Sequence, residues 1–187
     1  MGLKIEGLSF LVVDDNEHMR RLVRRVLNGM GVEQVRGAVD GSAAISELKV
    51  EVPDILITDW LMGPMDGLQL THFLRKGANS PNRFLPIIMM TGFAEREKVF
   101  QARDAGVTEF LVKPLSASSL FSRIQAIVEK PRPFVHIGEF FGPDRRRRKN
   151  EFQGEDKRGA TASPKQKKID MHEVMSQKAI NDLFNPE

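Results

Sequence analysis

The chain has 187 residues, 41% of them hydrophobic and none of them cysteine, which is enough apolar material for one ordinary domain with an appended segment and excludes a globally disordered chain. The missing cysteines exclude disulfides, thiolate zinc sites and cysteine nucleophiles. The net charge of +3 is unevenly placed: residues 1–130 carry sixteen basic and sixteen acidic side chains, so the whole excess lies in residues 131–187.

In chain order, the opening Met1-Gly-Leu-Lys-Ile-Glu6 has no long apolar stretch and no Ser or Thr at position 6, so neither a secretory signal nor a myristoylation motif is read there. No run reaches the length of a membrane span, and a cytoplasmic protein is expected. Residues 8–13 give the first apolar strand pattern, ending in Asp14 and Asp15. Residues 17–30 follow with Met19, Leu22, Val23, Val26, Leu27 and Met30 at i, i+3, i+4 spacing and arginines elsewhere, an amphipathic helix. Strand patterns recur at 34–38, 54–58, 86–90 and 109–112, with helical patterns near 41–50, 68–76, 95–105 and 117–129. Most of these strands are short and apolar throughout, as parallel strands buried on both faces should be. Gly31, Gly77 and Gly106 stand where helices should stop. Five strands alternating with five helices predict an α/β fold over residues 1–130, a doubly wound five-stranded parallel sheet.

Lys130-Pro-Arg-Pro133 ends this pattern, since proline disfavours helix at and just before its own position. Residues 131–168 are predicted as a largely irregular, basic, Pro/Arg-rich linker or tail. Within it, 134–141 is moderately apolar and expected to lie on the body, and Arg145, Arg146, Arg147, Arg148 and Lys149 form a basic block. Residues 169–187 are predicted to hold a short C-terminal helix, over 169–183, or a docking peptide.

In a doubly wound sheet, ligands bind in the crevice outside the carboxyl ends of the strands. Asp14, Asp15, Asp59, Thr91 and Lys113 all map there, from four different strands. Clustered carboxylates raise one another's pKa unless a cation sits among them, and hard oxygen ligands with few fixed positions suit Mg²⁺. A neighbouring ammonium and hydroxyl then suit a charged oxygen ligand such as a phosphoryl group. Asp59 ends the central strand, where its carboxylate could attack phosphorus to give an acyl phosphate. In-line transfer needs little beyond positioning and charge neutralisation. Taken singly, each feature has a plain reading: an acid pair caps a loop, Thr91 before Gly92 makes a turn. Their joint occurrence at four strand ends carries the functional reading.

The motifs Val12-Val-Asp-Asp-Asn16, Thr58-Asp-Trp-Leu-Met-Gly-Pro-Met-Asp-Gly67, Met90-Thr-Gly92, Ala105-Gly106 and Phe110-Leu-Val-Lys-Pro114 resemble the receiver domain of two-component response regulators, the family of the chemotaxis protein CheY. The resemblance spans about residues 6–130. It implies a flavodoxin-like sheet of strand order 2-1-3-4-5 and a single-domain response regulator, phosphorylated on Asp59 by a sensor histidine kinase, a phosphotransfer protein or a small phosphodonor. It assigns Mg²⁺ to Asp15, Asp59 and the Leu61 backbone carbonyl, with Asp14 contributing through water. Thr91 and Phe110 become the switch pair and Lys113 the phosphate contact, before a cis Pro114. No enzymatic activity is implied beyond the chain's own phosphoryl transfer and dephosphorylation. Output is expected by contact of a downstream protein with the face made by the fourth helix, fifth strand and fifth helix, with chemotaxis or flagellar control as the setting. Two departures stand out: the proline of Met62-Gly-Pro-Met-Asp-Gly67 comes one place late, and Phe110 replaces the commoner tyrosine. Leu61 and Phe93, two residues after the acceptor and the switch threonine, are both apolar and cannot orient an attacking water, so slow self-dephosphorylation is expected.

In Met175-Ser-Gln-Lys-Ala-Ile-Asn-Asp-Leu-Phe184, Ser176 is a candidate N-cap and Met175 can staple against Ile180. Ile180, Leu183 and Phe184 line one face, the pattern of a helix laid in a groove. The stretch is similar to the N-terminal CheY-binding peptide of the flagellar switch protein FliM, with Asn181 where an acid is usual. That resemblance implies docking on a receiver, its own or a neighbour's; a short helix capping the tail is the plainer alternative. The 145–149 block would attract phosphates, admitting nucleic acid, a cyclic dinucleotide or an anionic membrane, or it is a solvated basic linker. Trp60 and the four histidines draw no functional reading.

Overall fold

The computed structural model describes residues 5–92, 94–144 and 174–184. Strands β1 (Ser9–Val13), β2 (Gln34–Ala38), β3 (Ile55–Asp59), β4 (Ile87–Thr91) and β5 (Glu109–Val112) alternate with helices α1 (Glu17–Gly29), α2 (Gly41–Val50), α3 (Gly67–Lys76), α4 (Arg96–Ala105) and α5 (Ala117–Glu129). The strands pair in parallel in the order β2-β1-β3-β4-β5, as expected. No helix among the described residues is long and apolar enough to cross a membrane.

The unbroken apolar strands follow from burial on two sides. Successive side chains of a strand point to opposite faces, so Phe10, Val12, Ile55 and Ile57 pack against α1 and α5, while Leu11, Val13 and Leu56 pack against α2 and α3. On that second face, Met89 and Phe110 continue the core under Val99 and Ala102 of α4. Four of these five helices start where a short polar side chain meets their free N–H groups, while α4 starts at Glu95 with no side-chain cap. Asn16 accepts from His18 and Met19, Asp40 from Ala43, and Asp66 and Ser116 form capping boxes with Gln69 and Ser119. Gly106 ends α4 in the left-handed region, at φ 97°. Gly67 is required by space: a Cβ there would lie 2.1 Å from the Asp59 carbonyl oxygen, so α3 starts hard against the end of β3.

The chain beyond residue 130 departs from the expected tail in two places. Phe134–Ile137 (β6) and Phe140–Pro143 (β7) pair as an antiparallel hairpin. Phe134 and Phe141 close on Phe84, with ring centroids 5.3 and 5.4 Å away, which is how the apolar stretch lies on the body. The terminal helix, α6, spans Gln177–Phe184 and is shorter than expected. Val174 bridges to Glu95 instead of joining the helix, and residues 169–173 lie outside the described residues.

Arg75, near the end of α3, is fully buried. Its guanidinium donates to the carbonyls of Gly106 (3.0 Å), Arg83 (2.9 Å) and Leu85 (2.8 Å), and sits 5.0 Å from the Phe134 ring. Burial pushes its pKa down to about 9. One planar fork thus satisfies carbonyls from the loop before β4 and the turn before β5, where no strand or helix pairing reaches them. Replacing it strands buried acceptors, each costing roughly 1–3 kcal/mol. We expect Arg75→Leu to lower unfolding stability in urea by about 3 kcal/mol; a loss below about 1 kcal/mol would mean that water takes over the guanidinium's role.

Candidate functional site

The parallel sheet delivers the end of each strand to one rim, where residues at the ends of β1, β3, β4 and β5 meet. Asp14 follows β1 and is buried, Asp15 beside it is exposed, and Asp59 closes β3 with 8% of its surface open. One carboxylate oxygen from each of the three can be drawn from a group lying within 4.8 Å of one another. Lys113, just past β5, reaches between them, with Nζ 3.1 Å from Asp14 Oδ2 and 2.8 Å from Asp59 Oδ1. Thr91, the last residue of β4, is buried, and its carbonyl accepts from the Lys113 backbone N–H at 2.7 Å. The Lys113–Pro114 peptide is cis, as is Gly63–Pro64 in the loop where the proline comes late.

The loop holding the acids is shaped from α1. Asp14 Oδ1 accepts from the Asn16 N–H at 2.9 Å, while Arg20 donates to the carbonyls of Asp14 (2.6 Å) and Asp15 (3.2 Å). Burial pushes the Asp59 carboxyl above its usual range. The Lys113 hydrogen bond and charge pull it back, and the Asp14 charge adds to the rise, but the net shift is upward. For Lys113, burial disfavours the ammonium, yet hydrogen bonds and charge from Asp59 and Asp14 outweigh it and hold the pKa above the ordinary value. The arrangement is an incompletely neutralised acidic pit. Three hard oxygen donors close together fit a small divalent cation, and the adjoining ammonium fits an anionic oxygen.

Phe110 lies apart from this pit, on the same sheet face as Thr91: Met89 pairs with Phe110 and Thr91 with Val112 in the β4–β5 register. It is 1% exposed, edge-on to Trp60 at 6.4 Å and stacked on Phe184 of α6 at 5.9 Å. Ile180, Leu183 and Phe184 all pack into this cluster with Trp60 and Val99. Leu61, two residues after Asp59, is half exposed. Phe93 and the block Arg145, Arg146, Arg147, Arg148, Lys149 lie outside the described residues.

Three contributors escaped the sequence reading. Trp60, given no role there, directly follows Asp59 and joins the Phe110 cluster; its place next to Asp59 was the available signal. Arg20 was one of several outward arginines on a helical pattern, and nothing in spacing marks which of them folds back on the loop. Gln177 accepts from the Val112 N–H at 2.7 Å and donates to the Phe110 carbonyl at 3.3 Å, a contact across 65 residues that no local pattern encodes.

Comparison with known proteins agrees with the geometry. Residues 10–125 match the response regulator receiver domain. The chain is 35% identical over 125 residues to chemotaxis protein CheY-3 of Vibrio cholerae, covering 67% of this chain and 95% of that one. It is also 35% identical over 123 residues to chemotaxis protein CheY of Pseudomonas aeruginosa, covering 66% and 98%. Among solved structures, Vibrio cholerae chemotaxis protein CheY4 aligns with a TM-score of 0.59 at 30% identity, over 64% of this chain and 98% of that one. A response regulator of Chloroflexus aurantiacus aligns at 0.60 and 29% identity, over 66% and 98%. With its 2-1-3-4-5 sheet and its acids and lysine gathered at the strand ends, the chain belongs to the response regulator receiver domain family of two-component signalling.

Proposed function

We propose that Asp59 is the phosphoryl acceptor of a response regulator that signals by protein contact. The observation that supports this most directly is Lys113 held between Asp59 and Asp14. The Asp59 carboxylate attacks phosphorus; the new carboxyl O–P bond forms as the bond from phosphorus to the donor breaks, and the donor leaves with that electron pair. The donor is a phosphohistidine of a sensor kinase or phosphotransfer protein, or a small acyl phosphate. Asp14, Asp15 and Asp59, with the Leu61 carbonyl, would hold Mg²⁺, which supplies charge neutralisation for the phosphoryl oxygens.

The chain's own groups do the rest. Attack requires ionised Asp59, and Lys113 keeps that form accessible against the burial that opposes it. Once the acyl phosphate forms, the same ammonium pairs with a phosphoryl oxygen, and the Thr91 hydroxyl donates to another. Thr91 and Phe110 share a sheet face, so a shift of the threonine toward the phosphoryl group alters the packing beside the ring. The face of α4, β5 and α5 then reports the state to a downstream protein, by biasing an equilibrium between two packings. A cytoplasmic setting in chemotaxis or flagellar control fits this role.

Incubation of the full chain with acetyl phosphate and Mg²⁺ should add one acid-labile phosphoryl mass. Asp59→Asn should abolish it, as should removal of divalent ions with EDTA; labelling that survives Asp59→Asn overturns the assignment. Lys113→Ala should keep the fold but slow phosphorylation at least tenfold. Because the half-exposed Leu61 offers no group to orient water, the acyl phosphate should persist for minutes or longer. Leu61→Asn should shorten its half-life several-fold, and decay within seconds in the wild type would refute the point.

A further inference from the structure

Edge strands carry a row of backbone groups with no strand to pair with. β5 is such an edge, and the chain covers it with its own terminus. The Gln177 side-chain amide accepts from the Val112 N–H (2.7 Å) and donates to the Phe110 carbonyl (3.3 Å), the two groups a neighbouring strand would have engaged. Asn181, one turn on, accepts from the same amide at 2.8 Å and fixes its orientation. Just before the helix, the Met175 N–H donates to the Ala94 carbonyl at 2.7 Å and Val174 bridges Glu95, extending the contact along the loop before α4. The apolar side follows: Ile180 and Phe184 are buried, Phe184 lies flat on Phe110, and Arg132, past the end of α5, stands 5.9 Å from the Phe184 ring.

From these contacts we infer that α6 is a displaceable cover of the β5 edge, bound in cis against β5 and α4, and not a fixed part of the receiver. α6 is an eight-residue helix, and helices shorter than about 12 residues are marginal in water, so it is helical because it is docked. Folding on docking offsets part of the contact energy, which keeps the attachment reversible. Roughly thirty residues separate Asp144 from Val174 and, at up to about 3.5 Å each, they reach on the order of 100 Å, ample for docking within one chain. Linkage in one chain makes this docking intramolecular, so a dilute free helix competes with one that is always present. A partner that uses the surface under α6 therefore has to displace α6 first.

The test is self-competition. A fluorescein-labelled peptide of residues 174–187 is titrated into the full chain without phosphodonor, so that failure here leaves the phosphoryl-acceptor reading untouched. Wild type should bind it weakly. Phe184→Asp, which disables the chain's own α6, should bind at least tenfold more tightly, and Gln177→Ala should fall between. A labelled peptide carrying the Phe184→Asp change should bind none of them. Circular dichroism and thermal melting confirm that the variants keep the receiver fold; should Phe184→Asp not, Gln177→Ala carries the comparison. Equal affinity for wild type and variants, or no binding to any, overturns the inference. So does wild type that sediments as a dimer which Phe184→Asp converts to monomer, because α6 would then occupy a second copy.

Discussion

Two buried carboxylates held by one ammonium are the constraint on which the rest depends. Asp14 and Asp59 lie where water is scarce, and their charges oppose each other. Removing one member of such a set leaves an uncompensated buried charge, a penalty of roughly 3–5 kcal/mol in well-buried cases. Lys113 meets the requirement only because β5 runs parallel to β1 and β3 and ends at the same rim. Parallel strands all point their carboxyl ends one way, and the residue after each strand inherits the crevice. The doubly wound sheet and the acidic site are thus one structural fact seen at two scales.

β5 joins that site to the outer surface in very few residues. Glu109 pairs with Arg123 and Arg132 at its start, fixing the strand against α5 and the chain beyond it. Leu111 enters the core with α1 and α5, while Phe110 and Val112 direct backbone groups outward to Gln177. Lys113 follows at once. A strand of four residues thus lies between the lysine contacts at one end and the Gln177 contacts along its edge. Trp60 offers a parallel connection, since it follows Asp59 directly and touches the Phe110 ring. Any free-energy coupling between Asp59 and the contacts of α6 must be reciprocal: what α6 does to Asp59, a change at Asp59 does to α6.

Much of this was legible from residue order. Apolar runs of strand length and helical spacing between them specify a two-sided parallel sheet, and polar residues at four strand ends specify its rim. Where the reading ran short, the missing information was non-local. Phe134 and Phe141 looked like a moderately apolar tail, because a hairpin's stability here rests on Phe84 and the buried Arg75 beneath it, both far upstream. Arg75 itself sat in an ordinary amphipathic pattern, its role set by carbonyls that lack partners only after folding. Spacing exposed the apolar face of α6 in full, but a glutamine that stands in for a strand shows no periodicity.

The sheet's two edges are protected in opposite ways, and the difference bears on how the protein works. At β2, Arg36 reaches across to the Glu47 carboxylate and to the carbonyls of Glu47 and Glu51, a short, local and charged arrangement. Charge on an edge strand is a permanent deterrent to pairing. At β5 the covering element is joined through roughly thirty residues and held by one side-chain amide, the backbone contacts of Met175 and Val174 and a few apolar contacts. Water can replace the amide's hydrogen bonds, so the polar part of the attachment contributes little net free energy. The apolar part is harder to replace, because detachment exposes Phe110 and Val99 together with the backbone edge. A vacated groove would be a hydrophobic strand edge open to any chain, and α6 answers that hazard without closing the surface for good. Permanent protection suits an edge that does nothing else, and removable protection suits one that has to be read.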